Sequence, residues 1–155
     1  MSNTDLKAPV EPGLTLCGLE IRVHGREFPE LDDAWDGNWL RITATCSDSG
    51  ASVTVSGCLL DTVSFLLLMR DLMKLYEQLE GRAVLESVEP NIHVEFASRD
   101  RLGHISVCVH ITPDHMTQRH QFEFTIDQTW LPPLIAQCEH ILKHYPVLNP
   151  EGRGV

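Results

Sequence analysis

The sequence predicts an α+β fold, an antiparallel sheet of about six or seven strands with two helices packed on one face. Three observations predict it. Residues 91–126 hold three successive runs in which apolar and polar side chains alternate strictly. Residues 61–81 place apolar side chains at three- and four-residue intervals, and residues 128–145 do so again behind a pair of prolines. Alternation puts one face of a strand in the core and the other in water, whereas the longer period makes one stripe along a helix.

Taken in order, residues 1–13 are polar, carry Pro9 and Pro12, and read as a flexible N-terminal arm. Leu14, Leu16, Leu19, Ile21 and Val23 alternate, with a change of parity at Gly18 that suggests a bulge or bend. Residues 26–36 are a loop. Residues 39–46 and 52–60 are strands joined by Ser47-Asp48-Ser49-Gly50, which is turn chemistry, so they form a hairpin.

In residues 61–81, Phe65, Leu68, Leu72, Leu75 and Leu79 form the helical stripe, widened by Met69 and Tyr76. This is a core-facing stripe. Asp61 stands where it can cap the first amides and Gly81 where a left-handed C-cap is wanted. Residues 83–88 are a short strand interrupted by Glu89-Pro90. The three alternating runs follow, on Ile92, Val94 and Phe96, on Ile105, Val107, Val109 and Ile111, and on Phe122, Phe124 and Ile126. Pro132 and Pro133 suit the first turn of the last helix, whose apolar side is Leu134, Ile135, Cys138, Ile141 and Leu142. His140, Lys143 and His144 complement its C-terminal dipole, and Pro146 ends it. The organisation is one domain over residues 14–147 with a tail over 148–155, and no repeat is visible.

With 155 residues, 43% apolar and 22% charged, the chain can build a core without staples. Its 22 acids against 12 Lys and Arg leave a net charge of −10. That balance excludes sequence-independent nucleic-acid binding, which needs cations to displace counterions. It suits solubility or electrostatic steering toward a basic partner. Five scattered cysteines without a CxxC are not a disulfide framework, and no apolar run is long enough to span a bilayer. No signal peptide is evident, so a reducing cytoplasm is expected.

Two places carry ionisable groups in a pattern. The first is the wet face of residues 91–126. Pairing Val94 with Val107 and Val109 with Phe124 would set His93 beside Cys108 and His110 beside Glu123. Those residue types suit zinc or an activated thiolate, so a small metal- or thiol-dependent enzyme is one hypothesis. Against it, strand register is an assumption, and residues 91–126 hold no HxxxH, CxxC or HExxH spacing. An ordinary solvated or partner-facing surface, carrying His93, Glu95, His104, His110 and Glu123, is the plainer reading, with no metal and no cofactor. The second place is the loop at 26–36, where Glu27, Glu30, Asp32, Asp33 and Asp36 stand beside Trp35 and Trp39. It is either a solvated loop or a binding rim in which acids steer and an aromatic anchors. A small-ligand or regulatory binding module is a third possibility.

Several short segments carry a resemblance. Trp35-Asp36-Gly37-Asn38-Trp39-Leu40 leading a strand, and Glu89-Pro90-Asn91-Ile92 opening another, resemble the corresponding segments of WapI-type immunity proteins. Gly103-His104-Ile105, Asp127-Gln128-Thr129-Trp130-Leu131 and Tyr145-Pro146 are similar in the same order. The resemblance implies a cytoplasmic antidote of a contact-dependent or related polymorphic bacterial toxin system. It would bind the cognate toxin's C-terminal domain, do no chemistry and need no cofactor. A basic toxin such as a nuclease would suit the charge, while nucleic acid and membrane are not expected partners. The shared Trp39, Pro90 and Tyr145 would serve the fold. The five loop acids are the first expected toxin contacts, and the His-rich sheet face the second.

Overall fold

The computed structural model describes residues 11–155. The flexible arm expected over residues 1–13 lies outside the described residues up to residue 10.

Strands β1 (Gly13–Leu16) and β2 (Leu19–Arg26) pair antiparallel with Leu16 opposite Leu19, so Cys17-Gly18 is a two-residue turn. The parity change at Gly18 therefore marks a reversal of the chain, not a bulge within one strand. Because residues 16 and 19 face each other across the turn, Leu14, Leu16, Leu19 and Ile21 all reach the core. Gly18 is needed for space, since a Cβ there would stand 1.8 Å from the Ser47 carbonyl oxygen.

The expected hairpin forms from β3 (Trp39–Asp48) and β4 (Ala51–Asp61). Its turn residues Ser49 and Gly50 have φ of 47° and 88°, the positive pair that matches the twist of a tight hairpin. Asp61 then caps α1 (Thr62–Gln78), its carboxylate accepting from the Ser64 amide at 2.8 Å and the Ser64 hydroxyl at 2.9 Å. Phe65, Leu68, Leu72 and Leu75 are buried as the stripe predicts. The left-handed cap comes two residues before the expected glycine. Leu79 itself turns left-handed at φ 53°, its N–H bonded to the Leu75 carbonyl, and Gly81 at φ 98° serves the turn into the next strand.

That strand is β5 (Arg82–Glu86), followed by β6 (Ile92–Ser98), β7 (His104–Ile111) and β8 (Gln121–Asp127). Asp127 caps a 3-10 turn, Gln128–Trp130, that leads into α2 (Leu131–His144). Pro132 and Pro133 occupy its first turn as expected.

The class is α+β with antiparallel pairing throughout. Among the described residues there are eight strands rather than six or seven, and they divide into two four-stranded sheets, β1-β2-β3-β4 and β5-β6-β7-β8. The extra strand is the first hairpin, which the sequence shows as one run. Each half is a four-strand meander followed by a helix, a duplication of topology that no repeat in the sequence discloses. The halves exchange helices. α1 lies along β5 of the second sheet and α2 along β1 of the first, while the two helices touch each other. β3 and β4 approach β7 and β8, so the inner faces of both sheets and both stripes share one core. The segment expected as a tail from residue 148 carries a 3-10 turn, Pro150–Arg153, that folds back on the loop before β3.

Candidate functional site

The loop between β2 and β3 is held as a rigid corner. Its centre is Asn38, fully buried at the end of a 3-10 turn, Asp36–Asn38. The Asn38 amide donates to the carbonyls of Ala34 (2.9 Å) and Leu148 (3.0 Å). Its oxygen accepts from the Leu148 N–H (2.8 Å) and the Thr62 hydroxyl (3.1 Å). Every donor and both acceptor positions of the side chain are thereby used, joining the loop, the C-terminal segment and the start of α1.

Two arginines complete the clamp. Arg26 donates to the carbonyls of Gly37 (2.8 Å) and Pro146 (2.6 Å). Arg153 donates to the Ala34 carbonyl at 3.0 Å and to the nearly buried Asp61 carboxylate at 3.0 Å. Its guanidinium also stacks 4.0 Å from the centroid of Trp35. The indole, 62% exposed, is thus supported from one side and presented to solvent on the other.

The five loop acids separate by role. The Asp33 carboxylate accepts from the amides of Trp35 (2.8 Å) and Asp36 (2.7 Å), and the Trp35 amide above all holds its pKa below the usual 3.8. Glu27 faces Arg41 at 3.7 Å. These two shape the loop. Glu30, Asp32 and Asp36 are exposed and, among the described residues, have no cationic partner. They share the loop with the exposed Trp35, Phe28 and Leu31. Sequence reasoning missed Asn38, Arg26 and Arg153. The one available signal was the Asn within Trp35-Asp36-Gly37-Asn38-Trp39, because an amide held between two tryptophans is short of water and must find protein partners.

The sheet face differs from expectation in register. Val94 pairs with Val109 and Val107 with Phe124, so His93 stands opposite His110, Cys108 lies between Glu95 and Glu123, and His110 faces Gln121. The expected neighbours, His93 with Cys108 and His110 with Glu123, are each two residues out. A two-residue slip keeps apolar opposite apolar, so alternation alone cannot choose between the registers. The turn after Ser98, closed by the Arg99 amide on the His104 carbonyl, makes the choice.

In the register found, the His93 and His110 rings are 6.0 Å apart and Cys108 Sγ lies 3.4 Å from His110 Nε2. Burial, then the charges of Glu123 and Glu95, push the Cys108 thiol up, which opposes thiolate formation. Glu95 is engaged by Arg82. His104, at the far end of β7, binds Asp100 at 2.6 Å and does not join the group. Among the described residues no cluster of three or more His, Cys, Asp and Glu is placed to hold a metal ion. His93 and His110 instead form the floor of an open cleft of about 740 Å³ whose walls bring His115, Arg119, His120 and Glu89.

The segments that carry the family resemblance are structural in place. Asn91 donates to the carbonyls of Thr112 and Pro113, tying the two cleft loops together. Gly103, at φ 95°, leaves room for the Gln128 side chain, so those two segments pack on each other. Tyr145 is half-buried under Arg26, whose guanidinium lies 5.9 Å from its ring.

No helix among the described residues is long and apolar enough to cross a membrane. No curated protein and no solved structure matches the chain. A family model does, over residues 13–146, which take in the rigid corner up to Pro146, both sheets and both helices. On that match the chain belongs to the Immunity protein WapI-like family.

Proposed function

We propose that the chain acts in the cytoplasm as the antidote of a contact-dependent growth-inhibition or related polymorphic toxin. It binds the toxin's C-terminal domain and blocks it without chemistry of its own. Family membership supports the immunity role. One observation carries the docking surface: Trp35 stands exposed on a backbone that Asn38, Arg26 and Arg153 hold fixed, on the same loop as Glu30, Asp32 and Asp36, which have no cationic partner among the described residues. A rigid aromatic loses little entropy on docking, and acids around it steer a basic partner. With a net charge of −10, the chain suits a basic toxin such as a nuclease.

The contact between Cys108 and His110 is the feature that favours a thiol enzyme instead. Two flanking carboxylates and the raised thiol weigh against it.

The test is co-expression with the toxin domain encoded next to this chain's gene, followed by affinity measurement of the purified pair. Rescue of growth and a complex whose affinity falls with salt are expected. A chain that neither binds nor rescues removes the immunity reading. Rescue unaffected by changes at Trp35 removes only the docking surface.

A further inference from the structure

We propose that the edge of β4 is a self-association surface, at which two copies of this chain join by antiparallel β4–β4 pairing centred on Thr54. β4 has β3 as its sole strand neighbour among the described residues. The other outer strands are treated differently. β1 and β5 each have a helix alongside, and β8 carries Glu123 and Asp127. Charge on an edge is a common guard against pairing. The run Ala51–Cys58, ASVTVSGC, has no charged residue and no proline, and it is rich in residues that favour strands. Its regular part ends at the bulge at Leu59, where the register with β3 shifts.

The hairpin fixes which backbone groups are free. A two-residue turn makes the flanking Asp48 and Ala51 a hydrogen-bonded pair, and such pairs alternate along the ladder. The amides of Val53 and Val55 therefore point to β3, and those of Ser52, Thr54 and Ser56 point outward. An antiparallel copy centred on Thr54 matches this pattern to itself. Thr54 exchanges bonds with its own counterpart, and Ser52 with the other copy's Ser56. Val53, only partly buried, then meets the other copy's Val55 across the new seam. On the outer face, the hydroxyl pairs Thr43–Ser56, Thr45–Thr54 and Ser47–Ser52 extend across it without a charge.

Charge decides the occupant. Two copies at −10 repel wherever acids meet, and residues 51–58 bring no acid to the seam. A basic toxin would be drawn to the acids, not to this edge. Thr54 lies opposite Thr45, six residues along β3 from Trp39 and so about 20 Å from the rigid corner. The inference does not depend on the immunity reading.

Sedimentation of the full chain up to about 1 mM tests it, a range that detects weak association. The wild type should pass from monomer to dimer as concentration rises. Thr54→Lys and Thr54→Glu, which set like charges about 5 Å apart across the seam, should each associate at least about tenfold more weakly. Mixing the two should restore dimers, because opposite charges then face each other. Amides of Ser52, Thr54 and Ser56 in the wild type should gain hydrogen-exchange protection with concentration. A wild type that stays monomeric, or dimers indifferent to either charge, overturns the proposal, as does a mixture that stays monomeric. Loss of toxin binding by the charged variants with a monomeric wild type also overturns it and assigns the edge to the toxin. Retained rescue of growth by a monomeric wild type leaves the immunity reading standing.

Discussion

The corner made by residues 27–38 with the C-terminal segment and the outer face of β6–β8 are both rich in ionisable side chains, but their backbones are constrained differently. In the corner, a buried amide and two arginines satisfy carbonyls of the loop and of the C-terminal segment, and the amide oxygen accepts from the start of α1 at Thr62. The exposed side chains there inherit a fixed position. On the sheet face, the strand ladder fixes the backbone, but the side chains stand in an open cleft and are mostly engaged with one another. A surface meant to bind a folded partner gains from the first arrangement, because ordering costs are already met before contact. Arg153 lies beyond the span matched by the family, so the support of Trp35 comes partly from residues that the family pattern does not include.

The strongest way to break the contrast is to remove the hub. Asn38→Ala leaves the Leu148 carbonyl and amide and the Thr62 hydroxyl without their partner, and the Ala34 carbonyl with Arg153 alone, at a cost of about 4 kcal/mol on the scale for unsatisfied buried groups. Urea unfolding measures it, and toxin affinity should fall with it. A loss below about 1 kcal/mol would mean that water replaces the amide and that the corner is not locked by Asn38. Next comes Arg153→Ala. It strands the nearly buried Asp61 and unstacks Trp35, for about 3 kcal/mol of stability by the same assay. A fully stable variant would show that Asp61 is held well enough by Ser64 alone.

What the sequence discloses about these regions follows from the range of the interactions. Alternation on 92–96, 105–111 and 122–126 is local, and it assigns every one of those residues to the correct face. Register is not local, so His93 acquired the wrong neighbour while keeping the right face. The first hairpin looks like one bent strand in the sequence because a two-residue turn changes parity just as a bulge does. Asn38 lies 24 residues from Thr62 and 110 from Leu148, and Arg153 lies 92 from Asp61. No pattern of composition or period spans such separations. The acids of the loop were legible as a group, but their division into shapers, Glu27 and Asp33, and free charges, Glu30, Asp32 and Asp36, needs the hydrogen bonds.

That division can be sharpened by binding. Trp35→Ala should weaken toxin binding by about 2 kcal/mol while changing stability by less than about 1, since the exposed ring contributes mainly one cation–π contact to the fold. Charge reversal at Glu30, Asp32 or Asp36 should each weaken binding about three- to tenfold and flatten its salt dependence. Reversal at Glu27 or Asp33 should lower stability as well. Equal effects at all five positions, read by calorimetry at two salt concentrations, would erase the distinction.

Acid tests the Asp33 cap. Hydrogen bonds, chiefly from the Trp35 amide, lower the Asp33 pKa below 3.8 in the folded chain. A depressed carboxylate pKa means stability that is complete above the unfolded value and is lost as pH falls through the folded one. The same sign holds for Asp100, through His104, and for Asp114 and Asp127, through the hydroxyls of Thr117 and Thr129. The urea midpoint should therefore drop below a pH of 3.8, and less steeply in Asp33→Ala. Parallel curves would show that the loop cap contributes nothing to folding.

The smallest expected effect tests the other side of the comparison. His93→Ala with His110→Ala empties the floor of the cleft and removes the neighbour of Cys108, yet neither ring holds a buried partner or joins the corner. Stability should stay within about 0.5 kcal/mol, as for surface changes away from caps and networks. Toxin affinity should stay within about twofold on the same reasoning. If instead affinity falls tenfold, the toxin docks in the cleft. The rigid corner would then be a structural brace for the C-terminal segment, with its exposed tryptophan left over from the clamp that Arg153 makes.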